Sequence, residues 1–342
     1  MLASGTAWAQ GSSGVSAPAA PAVHPFARWV EVQTINVLGR FRAIENSEHV
    51  VTTRQVQDSL ALRGRLKLDR RARVSVTGAA ATGTGFTSSW NNTGLGTGEP
   101  VHALSLKQLY VSALPVNGVE VSYGGFALVR GESSEITNYD NDAYMVGQRV
   151  SVRRPKEAFF DDISGTAGFL GDLDTPNVFR RLDRLDEVNY GQLLVSKKAT
   201  KWLTASADVT RLSRVSTYRA AVSVALHGQL ADTIHYEQYA RAGTPAAFGY
   251  AVTAEKAVLS RLTIGAGYAD IDDNYGGLNG DRYNRGRRVF ETGTLRLSPE
   301  LTVAVFAAQA FRNDVRITNH RRFDLVVTYN ALASLKRAGL IR

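Results

Sequence analysis

No cysteine occurs in the 342 residues, so the chain has no disulfide framework, no thiolate ligand and no need of a redox partner, which suits an envelope protein. Long hydrophobic runs are missing too. No stretch approaches the ~18–20 apolar residues of a spanning helix, which excludes a helical membrane protein. There is no internal sequence repeat, which argues against a propeller or solenoid. Histidine is scarce: His24, His49, His102, His227, His235 and His320 lie far apart, without metal-ligand spacing. No Gly-x-Ser-x-Gly elbow accompanies them. Neither a cofactor nor an enzymatic activity is therefore expected.

The charge that is present is unbalanced. Forty Lys+Arg against 31 Asp+Glu give a formal net charge of +9, which fits nucleic acid, an anionic membrane surface or an anion-attracting cavity. Their placement decides between these. The cations alternate with leucines along extended runs instead of clustering on one loop or helix, so no nucleic-acid partner is expected.

The N-terminus, Met1 to Gln10, reads as the end of a secretory signal, because Ala7-Trp8-Ala9 has the small-x-small form that precedes cleavage. Residues 1–9 are assigned to that signal and 10–28, rich in Gly, Ser, Ala and Pro, to a flexible leader. Residues 29–332 form the folded body and 333–342 a C-terminal tail.

Through that body the hydrophobic period is two. In the run from Val30 to Ala43, Ile35, Val37, Gly39, Phe41 and Ala43 share one face and Thr34, Asn36, Arg40 and Arg42 the other. Leu60, Leu62, Gly64, Leu66 and Leu68 similarly oppose Ser59, Ala61, Arg63, Arg65 and Lys67. Short turns at Asp69-Arg70, Asn117-Gly118, Lys198–Lys201, His227–Gln229, Ala257–Ser260 and Ser298–Glu300, with another near Pro155–Asp162, alternate with mostly longer polar connections. The spacing predicts about sixteen strands of roughly the 9 to 11 residues that cross a bilayer.

Strands in hydrocarbon must pair every backbone group, so the fold expected is a closed antiparallel transmembrane β-barrel with short periplasmic turns and longer extracellular loops. A soluble sandwich would have shorter strands. The face opposite the apolar one then lines a wet lumen, where Arg40, Arg42, Arg63, Arg65, Lys67, Arg149, Arg153 and Arg219 fall. Phe41, Tyr123, Tyr144, Trp202, Tyr218, Tyr236, Tyr250, Tyr268 and Tyr329 lie near strand ends, as an interfacial aromatic girdle requires. Glu291 departs from the pattern by sharing a face with Val289, Leu295 and Leu297; a bulge or a place at the rim is expected to accommodate it.

This alternation over Val30 to Leu332 resembles the sixteen-stranded outer-membrane porins in architecture, with no diagnostic motif matched. In that family the third external loop folds into the lumen and sets acidic groups against an arginine ladder. The resemblance implies that Glu132, Glu135 and Asp140, in the loop Gly131–Asp142, oppose Arg40, Arg42, Arg63, Arg65, Lys67 and Arg149. The loop is nonetheless short for an inward fold. The chain also continues past its last strand to Arg342 instead of ending in the aromatic residue usual in porins.

The function expected is passive diffusion of small hydrophilic solutes with a bias toward anions. The alternative is a barrel plugged by its loops that serves surface binding or anchoring, which the Gly/Asn/Thr-rich loops Ala81–His102 and Asp270–Gly286 motivate. Expected partners are outer-membrane lipid, the barrel-assembly machinery, the solutes and further copies of the chain. His235 and Glu237 share a lumenal face, but a hydrolase would need a serine beside them. Asp270, Asp272 and Asp273 have the composition of a calcium loop without EF-hand spacing, and ordinary turn chemistry accounts for them better.

Overall fold

The computed structural model describes residues 29–85, 88–139, 144–153, 159–171, 175–226, 228–272, 285–311 and 319–341. The proposed signal and leader, the His227 turn residue, and Asp140, Asp142 and Asp273 lie outside these. The strands are β1 (Val30–Glu45), β2 (Val51–Lys67), β3 (Val74–Thr82), β4 (Asn91–Gly96), β5 (Leu104–Val116), β6 (Val119–Ala127), β7 (Tyr144–Arg153), β8 (Asp162–Phe169), β9 (Tyr190–Lys198), β10 (Leu203–Leu212), β11 (Val215–Ala225), β12 (Thr233–Ala242), β13 (Ala247–Leu259), β14 (Leu262–Ile271), β15 (Gly286–Arg296), β16 (Leu301–Ala310) and β17 (Arg321–Asn330). A short helix, α1 (Ala331–Arg337), follows. Among the described residues no helix is long and apolar enough to cross a membrane.

Each strand pairs antiparallel with its neighbours, and β1 pairs with both β2 and β17, so the sheet closes. The ring holds sixteen strands. β4 stands outside that count, because it continues β3 along the same neighbour: β2 pairs with β3 over Ala61–Lys67 and with β4 at Gln55, Gln57 and Asp58. β3 then pairs directly with β5.

Alternation fixes which side chains face inward. In β1, Arg40, Arg42 and Ile44 are buried while Val37 is 47% exposed on the opposite face. In β2, Gln57 and Ser59 turn inward and Leu66 outward. The outer face carries aromatics at the long-loop end: Phe248, Tyr250, Tyr268 and Phe311 form a chain with successive ring centroids 6.1, 6.0 and 6.0 Å apart. Tyr218, Tyr236 and Tyr329 are likewise exposed outside. Amphipathic rings in such a band suit a boundary that is apolar on one side and wet on the other.

Turn chemistry agrees with the sequence at the short-turn rim. Asn117-Gly118 joins β5 to β6, with Gly118 at φ 77° and Val116 opposite Val119. At the β2–β3 turn the Asp69 carboxylate accepts the N–H of Val74 at 2.9 Å and of Arg71 at 3.3 Å. The Val74 bond is the main reason its pKa is held below the usual carboxylate value. The turn expected at Ala257–Ser260 lies slightly later, since β13 runs to Leu259.

Two details depart from expectation. β17 gives way to α1 at Asn330, whose side chain accepts the Ala333 N–H at 3.0 Å as an N-cap. Period-two reasoning gives no signal for that helix. The bulge anticipated at Glu291 is absent: β15 runs in unbroken register with β14 and β16, and Glu291 lies in mid-strand, exposed on the outer face.

Gly118 occupies a left-handed conformation that a Cβ disfavours by about 1–2 kcal/mol. Gly118→Val is expected to lower unfolding stability by that order in a urea titration of the refolded protein, with an unchanged slope.

Candidate functional site: the lumen and its inward loop

The connection between β6 and β7 enters the barrel despite its length. Ser133, Ser134, Glu135, Ile136, Thr137, Asn138 and Tyr139 are all at most 8% exposed. The loop is held by side chains of the inner wall. Glu237 of β12 accepts a hydrogen bond from the Ser134 N–H at 2.8 Å, from the Ser134 hydroxyl, and from the Thr137 hydroxyl at 2.5 Å. Arg219 of β11 donates to the Thr137 carbonyl at 2.8 Å, to Asp208 Oδ1 at 3.0 Å and to Thr210 Oγ1 at 3.0 Å. The Glu132 N–H donates to Ser206 Oγ at 2.8 Å, and Gln192 donates to the Val129 carbonyl at 2.9 Å.

Apolar packing completes the seat. Ile136 is 2% exposed in a cluster with Tyr239, Ala251, Ala269, Phe290 and Phe306, on the inner faces of β12 to β16. At the other end of the loop Tyr139 packs edge-on against Tyr190, centroids 6.4 Å apart. A tip that buries an Ile among aromatics gains hydrophobic free energy of about 1.5–3 kcal/mol. The three donors on Glu237 also satisfy a carboxylate that is 0% exposed, which would otherwise be costly to bury.

His235 and Glu237 do share an inner face, as expected from sequence, with His235 Nε2 3.7 Å from Glu237 Oε1. A serine is also present. Its hydroxyl, however, donates to the carboxylate, not to the imidazole, so the arrangement is a tether for the loop.

Across the ring the cationic wall is braced rather than loose. Arg40 donates from Nε to Gln57 at 2.7 Å and lies over the Trp90 ring, 4.0 Å from its centroid. Arg42 pairs with Asp324 of β17 at 3.0 Å, and Arg322 binds the same carboxylate at 2.6 Å. Arg63 donates to Gln33 at 3.0 Å, to Gln108 at 3.2 Å and to the Tyr110 hydroxyl at 2.8 Å. Lys67 lies 3.3 Å from Glu31. Arg149 donates to the Ala127 carbonyl and to Thr166, and covers the Phe126 ring at 4.4 Å. Arg65 lies on the same inward row of β2 as Arg63 and Lys67, half-buried. The partners of Arg63 and Arg149 are neutral, so their positive charge is retained.

These cations and the loop anchors stand apart in the ring. Strands β1 and β2 lie eight pairing steps from β10 and β11, which is half of the sixteen-strand circuit. Glu132 and the buried Glu135 are carried by the loop that docks near the second wall. Arg149, from β7, lies near the loop's root instead of on the far wall. Sequence reasoning missed Asp208, Asp324, Arg288 and Arg322. Asp208 and Asp324 alternate with apolar neighbours on their strands, and that signal was available, whereas Arg288 and Arg322 follow Arg287 and Arg321, which blurs it; the pairing across strands was not readable for any of them. Of the calcium candidates, Asp270 pairs with Arg287 at 3.3 Å and Asp273 lies outside the described residues; among the described residues no cluster of three metal-type ligands occurs.

Replacing Glu237 by Ala removes the acceptor of three hydrogen bonds. Bonds to a charged group contribute about 1.5–3 kcal/mol each. Glu237→Ala is therefore expected to leave the barrel folded and to free the loop, making the bond after Arg130 susceptible to trypsin in detergent at least tenfold faster than in the unaltered protein. Equal cleavage rates would show that the tether does not hold the loop.

No protein-family model and no curated protein matches this sequence. Solved structures do. Salmonella typhi OmpF, in a complex with daunomycin, has a TM-score of 0.58 at 9% identity, covering 90% of this chain and 99% of that one. Pseudomonas putida OprB at high pH has a TM-score of 0.60 at 11% identity, covering 89% and 94%. A Rhodopseudomonas blastica porin triple mutant has a TM-score of 0.53 at 12% identity, covering 88% and 99%. At these identities the likeness is one of fold, and in fold this chain is a sixteen-stranded, closed antiparallel barrel of porin architecture.

Proposed function

We propose that the chain is an outer-membrane channel through which small hydrophilic solutes diffuse passively, in a lumen that favours anions. The observation that carries this reading is the inner face itself: Arg40, Arg42, Arg63, Arg65 and Lys67 on one wall and an inward loop seated half the circuit away. Opposed walls of this kind set up a transverse field in a low-dielectric shell, and an excess of cations raises the local concentration of anions. The outer face supports a place in lipid. Its apolar side chains and aromatic band match a hydrocarbon belt with headgroup margins, and outer-membrane lipid and the barrel-assembly machinery are the partners this implies. No catalytic step is assigned.

A second reading has a specific observation in its favour. The loop from Ser133 to Tyr139 is deeply buried and cemented on both flanks, as a plug would be in a barrel that binds or anchors at the surface. Liposome swelling separates the two: uptake of small sugars supports the channel, and none from correctly folded protein supports the plug.

For the channel, planar bilayers under a salt gradient are expected to give a reversal potential of anion-selective sign. Arg63→Glu with Arg65→Glu should move it toward cations, because four units of charge change on one wall. An unchanged reversal potential would remove these residues from the selectivity mechanism.

A further inference from the structure

The long-loop end of the β1–β17 seam brings together two of the chain's six histidines. His49 sits in the turn between β1 and β2, and His320 directly precedes β17; their rings meet edge to face, with centroids 4.9 Å apart and an interplanar angle of 86°. Backbone bonds fix both. The His320 N–H donates to the Glu45 carbonyl at 2.7 Å and its own carbonyl accepts the Ala310 N–H at 2.8 Å, so this buried residue ties the end of β16 to the end of β1. His49 has a φ of 62°, in a turn whose Asn46 side chain accepts the N–H groups of Glu48 and Val50 at 3.0 and 2.9 Å. That left-handed conformation is disfavoured for a residue with a Cβ, and from it the imidazole reaches His320.

The third participant is Glu45, the last residue of β1. Its Oε1 accepts the Nδ1–H of His49 at 2.6 Å and lies 3.7 Å from Arg321. A carboxylate on Nδ1 fixes the tautomer and leaves the lone pair on Nε2, which is how histidines are oriented where they ligate a metal. The ring spacing fits that use. With a metal–nitrogen bond of ~2.0–2.1 Å an imidazole centroid lies roughly 3.2 Å from the ion, and two rings subtending ~90–110° at it have centroids roughly 4.5–5.2 Å apart. The pair at the seam falls inside that interval.

We propose that His49 and His320 bind one divalent transition-metal ion of the Zn²⁺ class at the long-loop end of the seam, through one nitrogen each, with Glu45 as the positioning residue for His49. Among the described residues no set of three metal-type ligands converges, so the imidazoles act as a pair and water fills the other positions of the ion. Imidazole suits such ions, whereas Mg²⁺ and Ca²⁺ take oxygen ligands. An ion gripped by the β1–β2 turn on one side and the start of β17 on the other staples the ring where it closes. Because the two imidazoles meet only in the folded chain, binding stabilises the closed barrel by mass action. Arg321 works against the ion, since its positive charge faces Glu45. The inference concerns the rim and not the lumen, and it stands apart from the reading of the barrel as a channel.

The test is calorimetric titration of untagged, folded, chelator-stripped protein in detergent with Zn²⁺, and with Mg²⁺ in parallel. One Zn²⁺ per chain is expected, with affinity lower by roughly tenfold or more in His49→Asn, in His320→Asn and in Glu45→Ala. Arg321→Gln should bind more tightly. His102→Asn, exposed in the β4–β5 connection at the same rim, should bind as the unaltered protein does. Asparagine accepts a left-handed backbone, so His49→Asn keeps its turn, and heat-modifiable migration of the same samples verifies that each variant is folded. Zn²⁺ should also raise the temperature at which the folded band disappears, in the unaltered protein and not in His49→Asn. Undiminished Zn²⁺ binding by folded His49→Asn, equal binding of Mg²⁺, or no binding by the unaltered folded protein overturns the proposal. Conductance does not enter this readout, so such a failure leaves the diffusion reading standing, and a closed pore leaves the metal site standing.

Discussion

Every feature described above hangs on the hydrogen bonds between β1 and β17, which turn a long antiparallel sheet into a ring. Ten residue pairs, from Asn36 with Asn330 to Glu45 with Arg321, make this seam. Without it two strands would present unpaired N–H and C=O groups, a cost of several kcal/mol for each group exposed to hydrocarbon and an invitation to aggregation in water. Closure also separates inside from outside, and only then does the alternation of side chains acquire two different meanings. The seam carries its own lumenal reinforcement. Asp324, fully buried on β17, accepts hydrogen bonds from Arg42 across the junction and from Arg322 on its own strand.

The interior is organised by unequal charge. On one side arginines are stacked or bonded largely to neutral groups, which fixes their positions without cancelling their charge. On the other, Arg219 is spent on Asp208 and on a loop carbonyl, and Glu237 on three loop donors. The residues nearest the inward loop are thus structural ties, whereas Arg40 and Arg63 on β1 and β2 are held by neutral groups, and Arg42 and Lys67 by Asp324 and Glu31. One residue type serves two purposes, and the partner, neutral oxygen or carboxylate, decides which.

Much of the fold was legible because a barrel wall is written locally. Leu60, Leu62 and Leu66 against Arg63, Arg65 and Lys67 determine a strand and its two faces without reference to any other segment. Asn117-Gly118 likewise specifies a turn from two residues. The inward loop was harder. An inward course was expected only from the porin resemblance, and the loop is short for it, yet a dozen extended residues can reach roughly 40 Å. What draws it in is a set of docking partners, Glu237, Arg219 and the aromatic niche around Ile136, that lie 80 to 170 residues further along the chain.

The sequence by itself determined the class of element, the approximate number of strands, the alternation of short turns with long connections and the division into an apolar and a cationic face. Those follow from period, turn chemistry and the demand that each backbone group be paired, all of which act between near neighbours. Only the tertiary structure decided that β4 extends β3, that the loop after β6 seats on β10 to β12, and that Arg42 finds Asp324 at the seam. Such pairings depend on register around a closed circuit, where the side chain a residue meets is set by the geometry of the ring and not by its distance along the chain.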